Sequence, residues 1–347
     1  KDLRALSKSH RVRSIADGTF ANMKSLRYAA LPDSVLTLGK ALYSGCDSLR
    51  YIDWQNCKSM PISNIDRSDE ESPFYGMNRR TLVYVPLAVA TDDLDENVVN
   101  TSASGLWQAK SYYTDDQQTV EVPYAFTTQR AEINRVFMPD VKSTVYLPFS
   151  IDEASADVLG KFYEFDEYES ETGNVYFKRV NSTEAGKAYL FKPNTDKLVA
   201  EGDLDVCVTE HNGGTADGMY GTWERIVWKE DPLIIYGYAA NSQNGVEAGE
   251  FVRVAAGASV APMRGWLRLQ TYGASLGAAR LAVIFDEDDS ISGVIDIKDD
   301  QLQEADEPVD VFTVDGLLIR MGVKSEECLK GLPSGIYIVH GKKVMVP

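Results

Sequence analysis

Histidine is nearly missing from this chain: three occur in 347 residues, His10, His211 and His340, and none stands in H-E-x-x-H or another metal-ligand spacing. Four cysteines, Cys46, Cys57, Cys207 and Cys328, are too few and too scattered for a disulfide-stapled scaffold, and no C-x-x-C pair is present to hold zinc. They are expected to be buried thiols. No apolar run approaches the ~18–20 residues that cross a bilayer as a helix, so no transmembrane segment is expected. Lys1 opens the chain without a methionine or a charged-then-apolar leader, which suggests a processed or trimmed form with any export signal removed. Positive charge is scarce too, with 35 Lys and Arg against 52 Asp and Glu, a net charge of −17. Binding to nucleic-acid phosphates requires clustered Lys and Arg, so no nucleic-acid partner is expected.

What is present describes a folded protein of more than one domain. Hydrophobic residues make up 44% and charged residues 25%, and the length exceeds the ~250–300 residues at which one core stops growing. Residues 1–115 hold 14 basic and 14 acidic residues, so the whole acidic excess lies beyond them and a boundary is expected near 115.

A repeat fills that neutral segment. A shift of 23 residues superposes Leu3, Leu26 and Leu49, followed by Arg4, Arg27 and Arg50, and pairs Phe20 with Tyr43 and Tyr28 with Tyr51. A period in the low twenties is that of leucine-rich repeats, in which each unit adds a short strand and a turn and closes its core only against its neighbours. Strand alternation sends Ala29 and Leu31 inward and Tyr28 and Ala30 outward, and Pro32-Asp33-Ser34 ends the strand.

Phe20, Leu26 and Pro32 in one unit, and Leu38, Tyr43, Cys46, Leu49 and Ile52 in the next, resemble the BspA-like leucine-rich repeats of bacterial surface proteins. Leu82, Val85, Pro86 and Trp107 look like that family's closing unit. The pattern departs in residues 54–73, a polar insertion, and in showing two complete units where about three usually make a stable stack. A truncated array, or one that leans on its neighbour domain, is expected.

From Val120 to Phe285 short β-runs such as STVYLPFS, GKFYEFDEY, NVYFKRV, KAYLFKP, LIIYGYAA and RGWLRLQ alternate with turns, the signature of a sandwich or barrel. A short helix is expected near Asp152–Leu159. VYLPFS, GKFYEFDEY and AYLFKPN resemble a β-domain that follows such repeats. Residues 286–308 are densely acidic and read as a linker. In residues 309–347, Asp315-Gly316 reads as a type I′ hairpin turn and His340-Gly341 as a second turn. This ending resembles a shortened sorting domain of the type IX secretion system, with Leu332-Pro333 and Gly335-Ile336-Tyr337 among the matches.

The expected fold is therefore mainly β: a short leucine-rich-repeat solenoid over 1–115, an antiparallel β-sandwich over 116–285, an acidic linker over 286–308 and a small C-terminal β-module over 309–347. No enzyme and no cofactor are expected. If DVCVTEH is a strand, Cys207 and His211 stand about 13 Å apart, beyond nucleophile–base reach. Asp92, Asp93 and Asp95 suggest calcium, but the loop lacks the glycine and the closing glutamate of an EF-hand, since Val98 and Ser104 stand there. The candidate binding residues are Tyr28 and Tyr51 on the outward repeat face, Arg27 and Arg50 beside them at the strand entrances, and Trp54, a ring for sugar stacking; Trp107 could stack likewise but reads first as a cap of the repeat core. The resemblance implies an adhesin or interaction protein, secreted or held on the outer surface of a Gram-negative cell, that binds a host protein, a bacterial partner or a glycan. A carbohydrate-binding or glycan-processing accessory protein that uses the β-region, and a structural spacer, are the alternatives.

Overall fold

The computed structural model describes residues 2–3, 11–55, 66–86, 95–101, 105–209, 217–230, 234–242, 246, 248–269, 280–286, 309–313, 318–324, 328–333, 335–339 and 342–346. Among them the protein is mainly β, with one helix. Cys57, His10, His211, His340, the acidic stretch 287–308 and the turn residues 314–317 and 340–341 lie outside the described residues.

The neutral first segment stacks short strands in parallel. Asp2–Leu3, Tyr28–Ala30, Tyr51–Asp53, Leu82–Val85 and Val98–Thr101 lie side by side in that order. Tyr28 is opposite Tyr51 and Ala29 opposite Ile52, as the 23-residue shift requires. Turn backbones stack as well: Phe20 N–H donates to Leu42 C=O (3.1 Å) and Asn22 N–H to Ser44 C=O (2.7 Å). Gly39 lies so close to the preceding coil that a Cβ there would sit 2.3 Å from the Asp17 backbone nitrogen.

A third unit follows the insertion at a shift of 31 rather than 23. Leu42 N–H donates to Pro73 C=O (2.9 Å) and Gly45 N–H to Gly76 C=O (3.3 Å), and Phe74 and Met77 enter the core beside Tyr43 and Cys46. The inward alternation holds, because Ala29, Leu31, Ile52, Trp54, Val83, Val85 and Val98 share one core with Leu26, Leu42 and Leu49.

The expected boundary at 115 is not a break in the fold. The sheet that begins in the repeats continues across it through Trp107–Ala109 to Phe126–Asn134 and Leu198–Val206, with Tyr112–Asp115 paired alongside, making nine strands. Two strands of the expected sandwich thus complete the sheet that the parallel strands begin. Both escape a hydrophobicity reading because one face is wet: Gln129, Asn134, Glu201 and Asp203 are exposed between buried Phe126, Ala131, Ile133, Leu198 and Ala200.

A second nine-stranded sheet runs Ser143–Tyr146, Ala188–Pro193, Gly160–Glu169, Asn174–Val180, Arg280–Asp286, Phe251–Arg253, Ile235–Tyr238, Arg264–Arg268, Gly218–Thr222. It is not wholly antiparallel, since Asn174–Val180 and Arg280–Asp286 pair in parallel. It curls until its first strand meets its next-to-last: Tyr146 N–H donates to Met263 C=O (3.1 Å) and Gly265 N–H to Thr144 Oγ1 (3.0 Å). Tyr163, Phe177, Phe251, Leu267 and Phe285 fill the hollow of that curl. The helix is Glu153–Leu159, capped by Asp152, whose carboxylate accepts from Ser155 N–H at 2.8 Å. Val309–Thr313, Leu318–Val323, Gly335–Val339 and Lys342–Val346 form a four-stranded antiparallel sheet, in which the strands flanking each expected turn pair with one another.

The largest core joins the two sheets. Tyr51, Leu82, Tyr84 and Val99 from the outward face of the parallel stack meet Phe126, Ile133 and Leu204 from the same sheet and Val145, Phe149, Phe162 and Phe191 from the other region. Burial of apolar surface is the dominant favourable term in folding, and here that term spans both modules.

Candidate functional site

The outward face of the stack is largely covered by the chain itself. Tyr51 is buried, 5.1 Å from the Tyr28 ring and 6.4 Å from Tyr84. Tyr84 is fully enclosed, meets Trp107 and Tyr124 edge-on at 5.8 and 5.2 Å, and donates from its hydroxyl to Tyr124 C=O at 3.2 Å. The expectation of an exposed Tyr28–Tyr51 ladder is corrected accordingly. Alternation places both tyrosines on one side of the sheet, and Tyr51 there meets the chain's own second region rather than solvent.

Trp54 is corrected more sharply. It is 1% exposed and lies on the inward side, 4.9 Å from Phe74 and beside the Tyr43 hydroxyl. Three residues beyond Tyr51 on an alternating strand, it points the opposite way. Trp107 stacks near-parallel to Tyr124 at 6.0 Å and packs against the joint core.

The arginines form a graded row. Arg80 donates to Asp115 Oδ2 (2.8 Å) and Asp47 C=O (2.7 Å), with both charged side chains nearly buried. Arg50 donates to Gln118 Oε1. Burial lowers the proton affinity of Arg50, and the like charges of Arg80 and Arg27 lower it further. The remaining void beside Arg50, Arg80, Gln118 and Glu121 is about 20 Å³, room for one water at most.

Arg27 is the outermost member of the row among the described residues. It is exposed; its carbonyl accepts from Arg50 N–H (2.8 Å), and its guanidinium has no hydrogen bond or ion pair among the described residues. It lines an open depression of about 500 Å³ with Asp2, Ser25, Tyr28 and Ser48. Tyr28 is half-buried and donates from its hydroxyl to Glu121 Oε2 at 2.7 Å, which orients the ring at the rim.

Burial, then the Glu121 carboxylate that accepts its proton, push the Tyr28 phenol up from 10.0 to about 12. The neutral phenol is thus favoured in the fold. Its contribution to stability is complete below pH 10 and is lost as pH rises through 12. The tyrosinate absorbance titration of the protein minus that of Tyr28→Phe should have its midpoint near pH 12. A midpoint near 10 would mean that Glu121 does not hold Tyr28.

No family model, curated protein or solved structure matches the chain. The site is therefore described by its own geometry.

The acidic cluster read as a calcium candidate is partly engaged elsewhere. Asp95 Oδ2 accepts from the Arg67 guanidinium at 2.9 Å, and Glu96 pairs with Arg79; Asp92 and Asp93 lie outside the described residues. Cys207 is half-buried against the joint core and burial raises its thiol, while Cys46, also buried, donates to Phe20 C=O (3.0 Å).

Sequence reasoning missed Gln118 and Glu121, which close the repeat face, and Asn97. Asn97 is buried, with φ 60°. Its amide donates to the Arg79 and Tyr113 carbonyls and accepts from Tyr113 N–H, tying the last parallel strand to the strand beyond. An asparagine beside an apolar strand start is the one signal that points to it.

Proposed function

We propose that the chain is a non-catalytic, exported interaction protein of the bacterial surface. In this reading its leucine-rich-repeat stack is braced by the β-region and meets its ligand at the open end of the repeat face. The observation that carries the reading is the contrast between two equivalent positions. Arg50 and Tyr51 are closed over by residues 118–126, whereas Arg27 and Tyr28 stand at an open depression, and the Arg27 guanidinium meets no carboxylate among the described residues. Arg and Tyr are among the residue types enriched in binding hot spots.

Support for a repeat stack comes from the parallel register of Tyr28 with Tyr51 and Ala29 with Ile52, with stacked turn backbones between units. The surface location and the adhesin role rest on the resemblance to BspA-like repeats. An exposed guanidinium flanked by serine suits a ligand that presents a carboxylate or another oxygen-rich anionic group.

The intact chain, immobilised and probed with extracellular-matrix proteins, should bind a ligand that weakens with salt. Arg27→Ala should lower that affinity about 5- to 30-fold, as expected for truncating a hot-spot residue, without moving the unfolding midpoint. Binding indifferent to Arg27→Ala would reject the site. No binding by the intact chain would favour the spacer.

A further inference from the structure

We propose a second binding surface, for a neutral pyranose-based glycan, on the outer face of the curled sheet at Tyr220, Trp228 and Trp266. It is independent of the Arg27 depression.

Five tryptophans occur in the chain. Trp54 and Trp223 are core residues and Trp107 packs against a core, but Trp228 and Trp266 belong to none of the four clusters formed by the described residues. Both are only half-buried. Leaving a large aromatic ring out of every core forgoes its burial energy, so its position calls for another cause.

Local structure places the rings deliberately. Gly265 and Leu267 point into the curl, where Leu267 meets the interior core, so Trp266 between them points out. Tyr220 is its direct cross-strand partner, and the two rings are near-parallel (22°) with centroids 6.5 Å apart. Trp228 stands edge-on to Trp266 at 5.9 Å. Its backbone is pinned on both sides, its N–H donating to Ala258 C=O (3.0 Å) and its C=O accepting from Gly257 N–H (2.8 Å). The Arg268 guanidinium lies 5.7 Å from the Tyr220 ring centre. The cluster is thus held before any ligand arrives, which limits the ordering cost of binding.

The chemistry favours a sugar. Aromatic faces carry negative quadrupole density that attracts the weakly positive C–H hydrogens on the flat side of a pyranose ring. Neither indole N–H has a hydrogen-bond partner among the described residues, and each is a donor suited to a hydroxyl oxygen. A large protein partner fits less well, because exposed Glu224, Arg225, Lys229 and Glu230 crowd the chain around Trp228 where a protein interface would keep its centre free of charge. Polyanions such as nucleic acid or sulfated glycans are disfavoured by the net charge of −17.

The intact chain should be titrated with neutral hexasaccharides of β-glucan, α-mannan and galactan, up to about 10 mM, the range of weak single-site binding, while tryptophan fluorescence is followed. At least one should perturb the fluorescence saturably. Trp266→Ala and Trp228→Ala should each weaken it about tenfold or more, as loss of an aromatic anchor does. Trp266→Phe should retain part of the affinity, and Arg27→Ala should leave it unchanged. Saturation by none of the three sugars, binding that survives both alanine variants with unfolding midpoints intact, or a response to heparin alone would each overturn the proposal.

Discussion

Tyr84→Ala is expected to lower the stability of the protein by about 3–5 kcal/mol, the range for emptying a large aromatic site in a core. Tyr84 comes from the third unit of the parallel stack, yet most of what surrounds its ring follows it in the chain: Trp107 and Tyr124 meet it edge-on and Tyr124 C=O accepts from its hydroxyl. The loss therefore includes a hydrogen bond as well as a cavity. Such a cost is a large part of the ~5–15 kcal/mol that holds a typical domain together. Because Tyr84 shares its core with Phe126 and Phe149, the repeats and the β-region should weaken together. Phe149→Ala, on the far side of that core, should shift the same transition. Guanidinium unfolding followed by far-ultraviolet circular dichroism measures both. A Tyr84→Ala loss below about 1 kcal/mol, the level of a surface site, would mean that the ring is not enclosed.

Trp54→Ala is expected to cost a similar 3–5 kcal/mol through the other core. The Trp54 indole is wedged against Phe74, which arrives from beyond the polar insertion, and lies beside the Tyr43 hydroxyl. It thus fastens the third unit of the stack to the second. Trp54→Phe should recover part of the loss by refilling the inward site. Binding measured at equal folded fraction should not distinguish Trp54→Phe from the parent protein, because the ring reaches no surface. A selective loss of sugar binding in Trp54→Phe would restore the sequence-based reading of an exposed stacking ring.

The first two units were readable because their landmarks recur at one spacing: Leu26 with Leu49, Tyr28 with Tyr51, Phe20 with Tyr43. The next was legible only from Leu82 onward, because Arg80 stands where that pattern wants leucine and the insertion moves Phe74 and Met77 to a shift of 31. In the structure Arg80 instead turns outward to Asp115. Alternation also told correctly which residues share a side of the strand. It carries no information about what lies against that side, so Tyr51 read as a surface residue and proved to be core. The strands Phe126–Asn134 and Leu198–Val206 were illegible for a related reason. Thr127, Gln129, Glu132 and Glu201 serve a wet outer face, and only the pairing with Trp107–Ala109 and Tyr112–Asp115 reveals them as the continuation of the first sheet. Arg27 was legible as a candidate, but its distinction from Arg50 depends on Gln118, 68 residues beyond Arg50.

The account stands on one core that unites the parallel stack with the β-region. Amide hydrogen exchange of Leu82–Val85 and of Phe126–Asn134 under rising sub-denaturing guanidinium tests it most directly, since exchange reports the free energy of the opening that exposes each strand. The two sets should converge on one opening free energy and one denaturant slope, and Tyr84→Ala should lower both equally. Repeat strands that open at distinctly lower cost while Phe126–Asn134 stays protected would contradict the shared core.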